Sequence, residues 1–190
     1  MQLSFIPKRY SEQLTRDGLD AVPKDYLQNI LSELQTDEQK LIFKEVNYGT
    51  GSDWIWILLI FQGIGSIIVL GNKIDKGLQG WSNIGKKIKR FIKKVDRVRL
   101  DGDALKALCL YEIIKKNRNI SSLELLSETE VEVSNNSSMF PGRKFSEFVS
   151  KDKNYHVFIF KVNESIIYVF ICSIEGKVEL LKYVDFTDEP

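Results

Sequence analysis

The chain has 190 residues, 43% hydrophobic and 28% charged, with two cysteines and a formal net charge of +1. That balance marks an ordinary globular protein of one domain, or of one domain with an appendage. The near-neutral total hides an asymmetry: of 27 basic and 26 acidic residues, ten and two lie between Lys73 and Arg99, leaving 17 and 24 elsewhere. A basic segment on an acidic body either meets an anionic partner or folds back on its own domain.

Residues 2–6 alternate Leu3 and Phe5 with polar neighbours and read as a short strand stopped by Pro7. No basic stretch followed by an apolar one marks a secretory signal, so a cytoplasmic location is expected. Arg16, Asp17 and Gly18 signal a turn. Pro23 opens a helix over 23–36, on which Tyr26, Leu27, Ile30, Leu31 and Leu34 recur at helical spacing. Residues 41–48 read as a second strand. Gly49 and Gly51 then resemble the entry to a phosphate-cradling loop. The third glycine of a dinucleotide fingerprint and a Gly-Lys-Ser/Thr ending are both missing, and Ser52 or Asp53 as a helix N-cap explains the same residues.

From Trp54 to Leu70 nothing is charged, and only Gln62 and Ser66 are strongly polar. A helix apolar almost all round is buried in protein or in lipid. Seventeen residues rise about 25 Å as a helix, short of the roughly 30 Å hydrocarbon core. Trp54 and Trp56 at one end suit a membrane interface, and the basic run suits a cytoplasmic leaflet. A permanent span would send the charged, foldable residues 1–53 across the membrane, so a buried core helix is the first expectation.

Beyond Gly71 and Asn72 the residues Ile74, Leu78, Trp81, Gly85, Ile88, Ile92 and Val95 form a heptad seam, with the cations at other positions. This is a strongly amphipathic basic helix. Joined to the apolar segment it would make a rod of about 64 Å, against a radius of gyration near 16 Å for a domain of this size. A break at Gly71-Asn72 or at Gly77–Gly80 is therefore expected, giving an αα-hairpin with the apolar member inside.

Residues 98–100 resume strand character, and Asp101, Gly102 and Asp103 make a turn. Asp103 is expected to cap a helix over 104–117. An Asp-x-Asp metal site would need further oxygen ligands. Residues 120–133 read as a strand, 134–138 as a loop, Pro141-Gly142 as a turn, and 145–149 as a short helical piece. The strands 155–162, 166–174 and 177–184 are separated by Asn163-Glu164 and Glu175-Gly176, both suited to tight turns. They form an antiparallel meander that should pair with 120–133.

Few residues suggest chemistry. The single histidine, His156, has no nucleophile motif around it and is expected to face solvent. Glu124, Glu128, Glu130 and Glu132 fall at even offsets, hence on one strand face, solvated or paired with the basic helix. Cys109 and Cys172 lie in apolar runs and read as buried free thiols. No catalytic set, metal ligand set or cofactor motif is found.

Residues 41–100 combine a strand, a Gly-containing loop at Gly49–Ser52, a Gly-interrupted apolar helix at 54–70, a basic amphipathic helix at 81–94 and a strand at 98–100. That succession resembles the small effector-associated constant components of bacterial conflict systems. The resemblance implies an accessory or adaptor role in defence.

The expectation is therefore an α+β fold in one domain, residues 1–190. An antiparallel sheet with a C-terminal β-meander packs on helices, including one buried apolar helix in an αα-hairpin. That hairpin, 53–96, is inserted between N-terminal βαβ elements and the C-terminal sheet. The expected function is that of a non-enzymatic accessory or interaction protein. Its hairpin would contact a protein partner or an anionic lipid surface, at the inner face of the membrane, through Trp54, Trp56, Trp81, Lys86, Lys87, Lys89, Arg90, Lys93 and Lys94. Nucleic acid is disfavoured, since Trp81 and Phe91 belong to the apolar seam and no exposed aromatics offer base stacking. The alternatives are a conditional membrane-inserting effector acting through residues 54–70, and an enzyme using the Asp101/Asp103 turn.

Overall fold

The computed structural model describes residues 1–7, 22–35, 39–47, 53–61, 74–132 and 154–186. The expected turn at 16–18, the Gly49–Ser52 loop, residues 62–70, Gly71-Asn72, the loop at 134–138, Pro141-Gly142 and the helical piece at 145–149 lie outside them. The fold is α+β, with two four-stranded sheets.

In the first sheet β1 (Gln2–Pro7), β2 (Gln39–Asn47), β3 (Asp53–Phe61) and β4 (Val95–Leu100) stand in the order β2-β3-β1-β4, each neighbour antiparallel. The first half of the supposed apolar helix is thus a central strand. Residues 53–61 are bonded to β2 on one side and β1 on the other, with Phe5 opposite Ile55 and Val46 opposite Trp54. Its sequence is a continuous apolar run, which periodicity cannot tell from a buried helix. The β-branched and aromatic content of Trp54–Ile60 favours the extended form. Asp53, expected as an N-cap, pairs with Asn47 in the ladder.

The helix α1 (Lys24–Leu34) buries Leu27, Ile30, Leu31 and Leu34, the spacing read from the sequence. The basic helix, α2 (Ile74–Ile92), runs unbroken through Gly77 and Gly80, which corrects the expected break there. Its expected seam is partly realised: Gly85 and Ile88 are buried, Leu78, Trp81 and Ile92 are half-buried and Val95 begins β4, while the flanking Ile84 and Phe91, which widen the seam, are buried, the Phe91 ring meeting Phe5 of β1 edge to face at 5.0 Å. With 53–61 extended, the hairpin at 53–96 does not exist. The chain has a buried apolar helix, but it is α3 (Gly102–Lys116), where Ala104, Leu105, Ala107, Leu108, Cys109, Leu110 and Ile113 are all buried. Its packed partner is α2, and β4 connects the two.

The second sheet is the expected meander, β5-β6-β7-β8, built from β5 (Leu123–Glu132), β6 (Asn154–Val162), β7 (Ile166–Ser173) and β8 (Val178–Asp185). Asn163 and Glu164 both take left-handed backbone, φ 51° and 61°, as their hairpin demands. The inward face carries Phe158, Phe160, Val162, Tyr168, Phe170 and Cys172, all buried against α3 in one core shared with the first sheet. Two positions on α3 and its C-cap reach this sheet: Lys106 bonds Glu128, Cys109 touches Cys172, and the C-cap Asn117 bonds Tyr168. Their spacing of three and eight residues lies along one helical face. The sheets also meet directly, the Leu100 amide donating to the Ile174 carbonyl at 2.7 Å.

Candidate functional site

The candidate site is the outward face of α2. Because Ile84, Ile88 and Phe91 are committed to the core, the positions between them project outward, leaving Lys86, Lys89 and Arg90 exposed and Lys87 half-buried, and Lys93 and Lys94 are exposed in the turn that follows the helix. The cations do not all play one part. Lys89 pairs with Glu112 of α3 and lies 5.4 Å from the Tyr111 ring centre; Lys94 pairs with Glu33 of α1; Lys87 donates to the Gln35 carbonyl at 2.5 Å. These three fasten α2 to its neighbours. Lys86 and Arg90, one turn apart on the exposed face, carry no ion pair among the described residues. Surface pairs of this kind contribute at most about 1 kcal/mol each, so the tethering cations remain open to exchange with an acidic partner.

The tryptophans named with this surface stand on two elements. Trp81 is half-buried on α2 and packs against the core. Trp54 and Trp56 stand in β3, at register positions opposite Val46 and Lys44 of β2, and Trp56 is also opposite Ser4 of β1. A site combining an apolar helix with a basic helix is not formed by residues 54–61.

A second polar group gathers where α3 begins. Asp101, not Asp103, is the N-cap: its Oδ1 accepts from the Ala104 amide at 2.9 Å and its Oδ2 from the Gln2 amide at 2.6 Å. Burial raises this carboxyl above its ordinary value, against the lowering effect of those two amides. Asp103 lies 3.3 Å from Lys106 Nζ, which also bonds Glu128 Oε2 at 2.9 Å. Burial alone would lower the Lys106 ammonium; the bond and charge of Glu128, with Asp103, outweigh it and hold the group above its usual value. The carboxylates of the Asp101/Asp103 turn are thus engaged in capping and pairing.

The glutamates of β5 do not share one face. The ladder slips between Leu125 and Ser127, so Glu124 stands opposite Lys161 while Glu128 and Glu130 stand opposite Phe158 and His156 on the inward side. A bulge adds one residue and switches the parity of everything beyond it. Glu128 therefore meets α3 and not the basic helix. His156, expected to face solvent, also lies on the inward side, its ring stacked on Phe158 at 5.9 Å. Its Nδ1 is shielded and has no hydrogen-bond partner among the described residues. Directly across the ladder stands Cys172, whose sulfur is 3.3 Å from that of Cys109. The pairing of 156 with 172 follows from a three-residue loop, 163–165, whereas a two-residue turn at Asn163-Glu164 would have put 156 opposite 171.

Among the described residues no three metal-ligating side chains gather, and no helix is long and apolar enough to cross a membrane. The chain matches no known family model, no curated protein and no solved structure.

Proposed function

We propose that the protein is a non-enzymatic accessory or interaction protein whose basic α2 face docks on an acidic surface of a partner protein. One observation carries the reading: Lys86 and Arg90 stand exposed and without ion pairs among the described residues, on a 19-residue helix whose opposite side is locked into the core. Such a surface is rigid, so little side-chain or backbone freedom is lost beyond the docking itself. Complementary charge would accelerate encounter and exclude basic competitors.

An acidic protein is favoured over lipid because the described apolar side chains of α2 point inward or are half-buried. An interfacial helix inserts its apolar face among acyl chains, and here that face already packs on β1 and α3. Membrane insertion through residues 54–70 would further require β3 to break both of its ladders. An accessory role of this kind agrees with the likeness to conflict-system components, although one helix in that pattern is the strand β3.

The test is affinity capture of partners by the intact chain, compared with Lys86→Glu/Arg90→Glu, at low and high salt. Flotation with anionic and neutral vesicles runs alongside. Wild type should retain acidic proteins that the variant and high salt release, and should leave both vesicle types unbound. Salt-sensitive flotation with anionic vesicles alone would replace the protein partner with a lipid surface. Equal capture by the variant would overturn the reading.

A further inference from the structure

The interior holds a pair of nucleophilic groups that the basic helix does not use. Cys109 of α3 and Cys172 of β7 are both free and wholly buried, with their sulfurs 3.3 Å apart. That is contact distance; a disulfide needs about 2.0 Å and a small approach of the two side chains. The positions are held from either side. Lys106 is fixed to Glu128 one turn before Cys109, and Asn117 is fixed to Tyr168 two turns after it. Cys172 is held in its ladder between His156 and Val178. The fold thus presents two thiols to each other and to little else.

We infer that Cys109 and Cys172 form a modification site, a dithiol that a small hydroperoxide converts into an internal disulfide joining α3 to β7. Cys172 makes the first attack, because its ladder neighbour His156 is partly exposed and local opening there uncovers the sulfur. The Cys172 thiol loses its proton and attacks one peroxide oxygen; the O–O bond breaks, water leaves, and the sulfur becomes a sulfenic acid. The Cys109 sulfur then attacks that sulfur, the S–O bond breaks, and a second water leaves. Two thiols surrender two electrons and two protons, and the peroxide takes them all. Burial pushes the Cys109 thiol well above its usual range, so it stays protonated and unreactive toward peroxide itself and reacts only with the sulfenic sulfur formed in contact with it.

The product would cross-link positions 63 residues apart and so restrict the unfolded chain strongly. It would fasten the central helix to the meander. Reduction would release it without any change in surface charge, so the redox state of the pair and the docking face of α2 are separable.

The test exposes the reduced, reductant-free protein to hydrogen peroxide, then denatures it in an alkylating agent. The expected result is a loss of two hydrogens, no alkylation of either cysteine, and a peptide linking Cys109 to Cys172. The melting midpoint should rise by roughly 5–10 °C and return on treatment with dithiothreitol. Cys109→Ala and Cys172→Ala should each abolish the rise; the wild-type mass and peptide readouts stand even if neither variant folds. Thiols that remain fully alkylatable after peroxide, a gain of oxygen without cross-linking, or disulfide-linked dimers would each overturn the inference.

Discussion

Gly85 of α2 rests directly on the backbone of α3 at Ala107: a Cβ placed on Gly85 would lie 2.2 Å from the Ala107 carbonyl oxygen and 2.8 Å from Tyr111 Cβ. The close approach of the two helices depends on that missing methyl group. Gly85→Ala should destabilise the protein by about 2–3 kcal/mol through overpacking. Gly77 and Gly80 meet nothing within 4 Å, so Gly77→Ala and Gly80→Ala should each stabilise it by about 0.5–1 kcal/mol. Urea unfolding of the three variants checks both signs; a neutral Gly85→Ala would mean that the helices do not touch there.

Asn163 closes the β6–β7 hairpin and also clamps the approach to β5. Its Oδ1 accepts from Ser121 N at 2.8 Å, Ser121 Oγ at 3.0 Å and Ser122 N at 3.3 Å, and its Nδ2 donates to the Asn119 carbonyl at 2.9 Å. Asn163→Gly keeps the left-handed backbone and loses only the clamp, which should cost about 1–2 kcal/mol. Asn163→Ala loses both and should cost about 1 kcal/mol more. Equal losses in the two variants would show that the backbone conformation contributes nothing.

Gly176, at φ 83°, brings the β7–β8 turn against Ile92 and Leu100; a Cβ there would lie 2.4 Å from Ile92 Cδ1 and 2.9 Å from Leu100 Cδ1. Those contacts join the two sheets. Gly176→Ala should lower stability by about 1–3 kcal/mol, from left-handed strain and crowding together. Thermal unfolding measures it.

Asp101 gives the expected pH dependence. Its folded carboxyl binds a proton more tightly than the unfolded chain does, so its contribution to stability is largest below the ordinary value of 3.8 and falls as pH rises through the raised folded value. Asp101→Asn retains an acceptor for the Ala104 amide and removes the titration. The stability difference, wild type minus variant, should therefore decline with rising pH across that window and flatten above it. A difference that rises with pH would reverse the assigned sign.

Local chemistry was legible wherever it acts alone. The heptad seam of α2, the helix at 104–117, and the meander with its left-handed Asn163-Glu164 turn follow from periodicity and turn residues that need no distant partner. The candidate site was half legible: the cations of α2 are exposed as the seam requires, but which of them are tethered depends on Glu33, Gln35 and Glu112, supplied by other elements. The inward placement of Glu128 depended on a one-residue bulge at Leu126, which composition does not mark.

By itself, the sequence determined the amphipathic basic helix, the apolar helix at 104–116 and the three consecutive C-terminal strands, because side-chain period and turn stereochemistry are properties of a few adjacent residues. Only the tertiary structure decided that Trp54–Phe61 is extended, because an apolar run has no period to read and its backbone groups are satisfied by β1 and β2, which flank it in space. The same holds for Cys109 and Cys172: their sulfurs meet because α3 packs on the meander, a contact between positions that no local pattern connects.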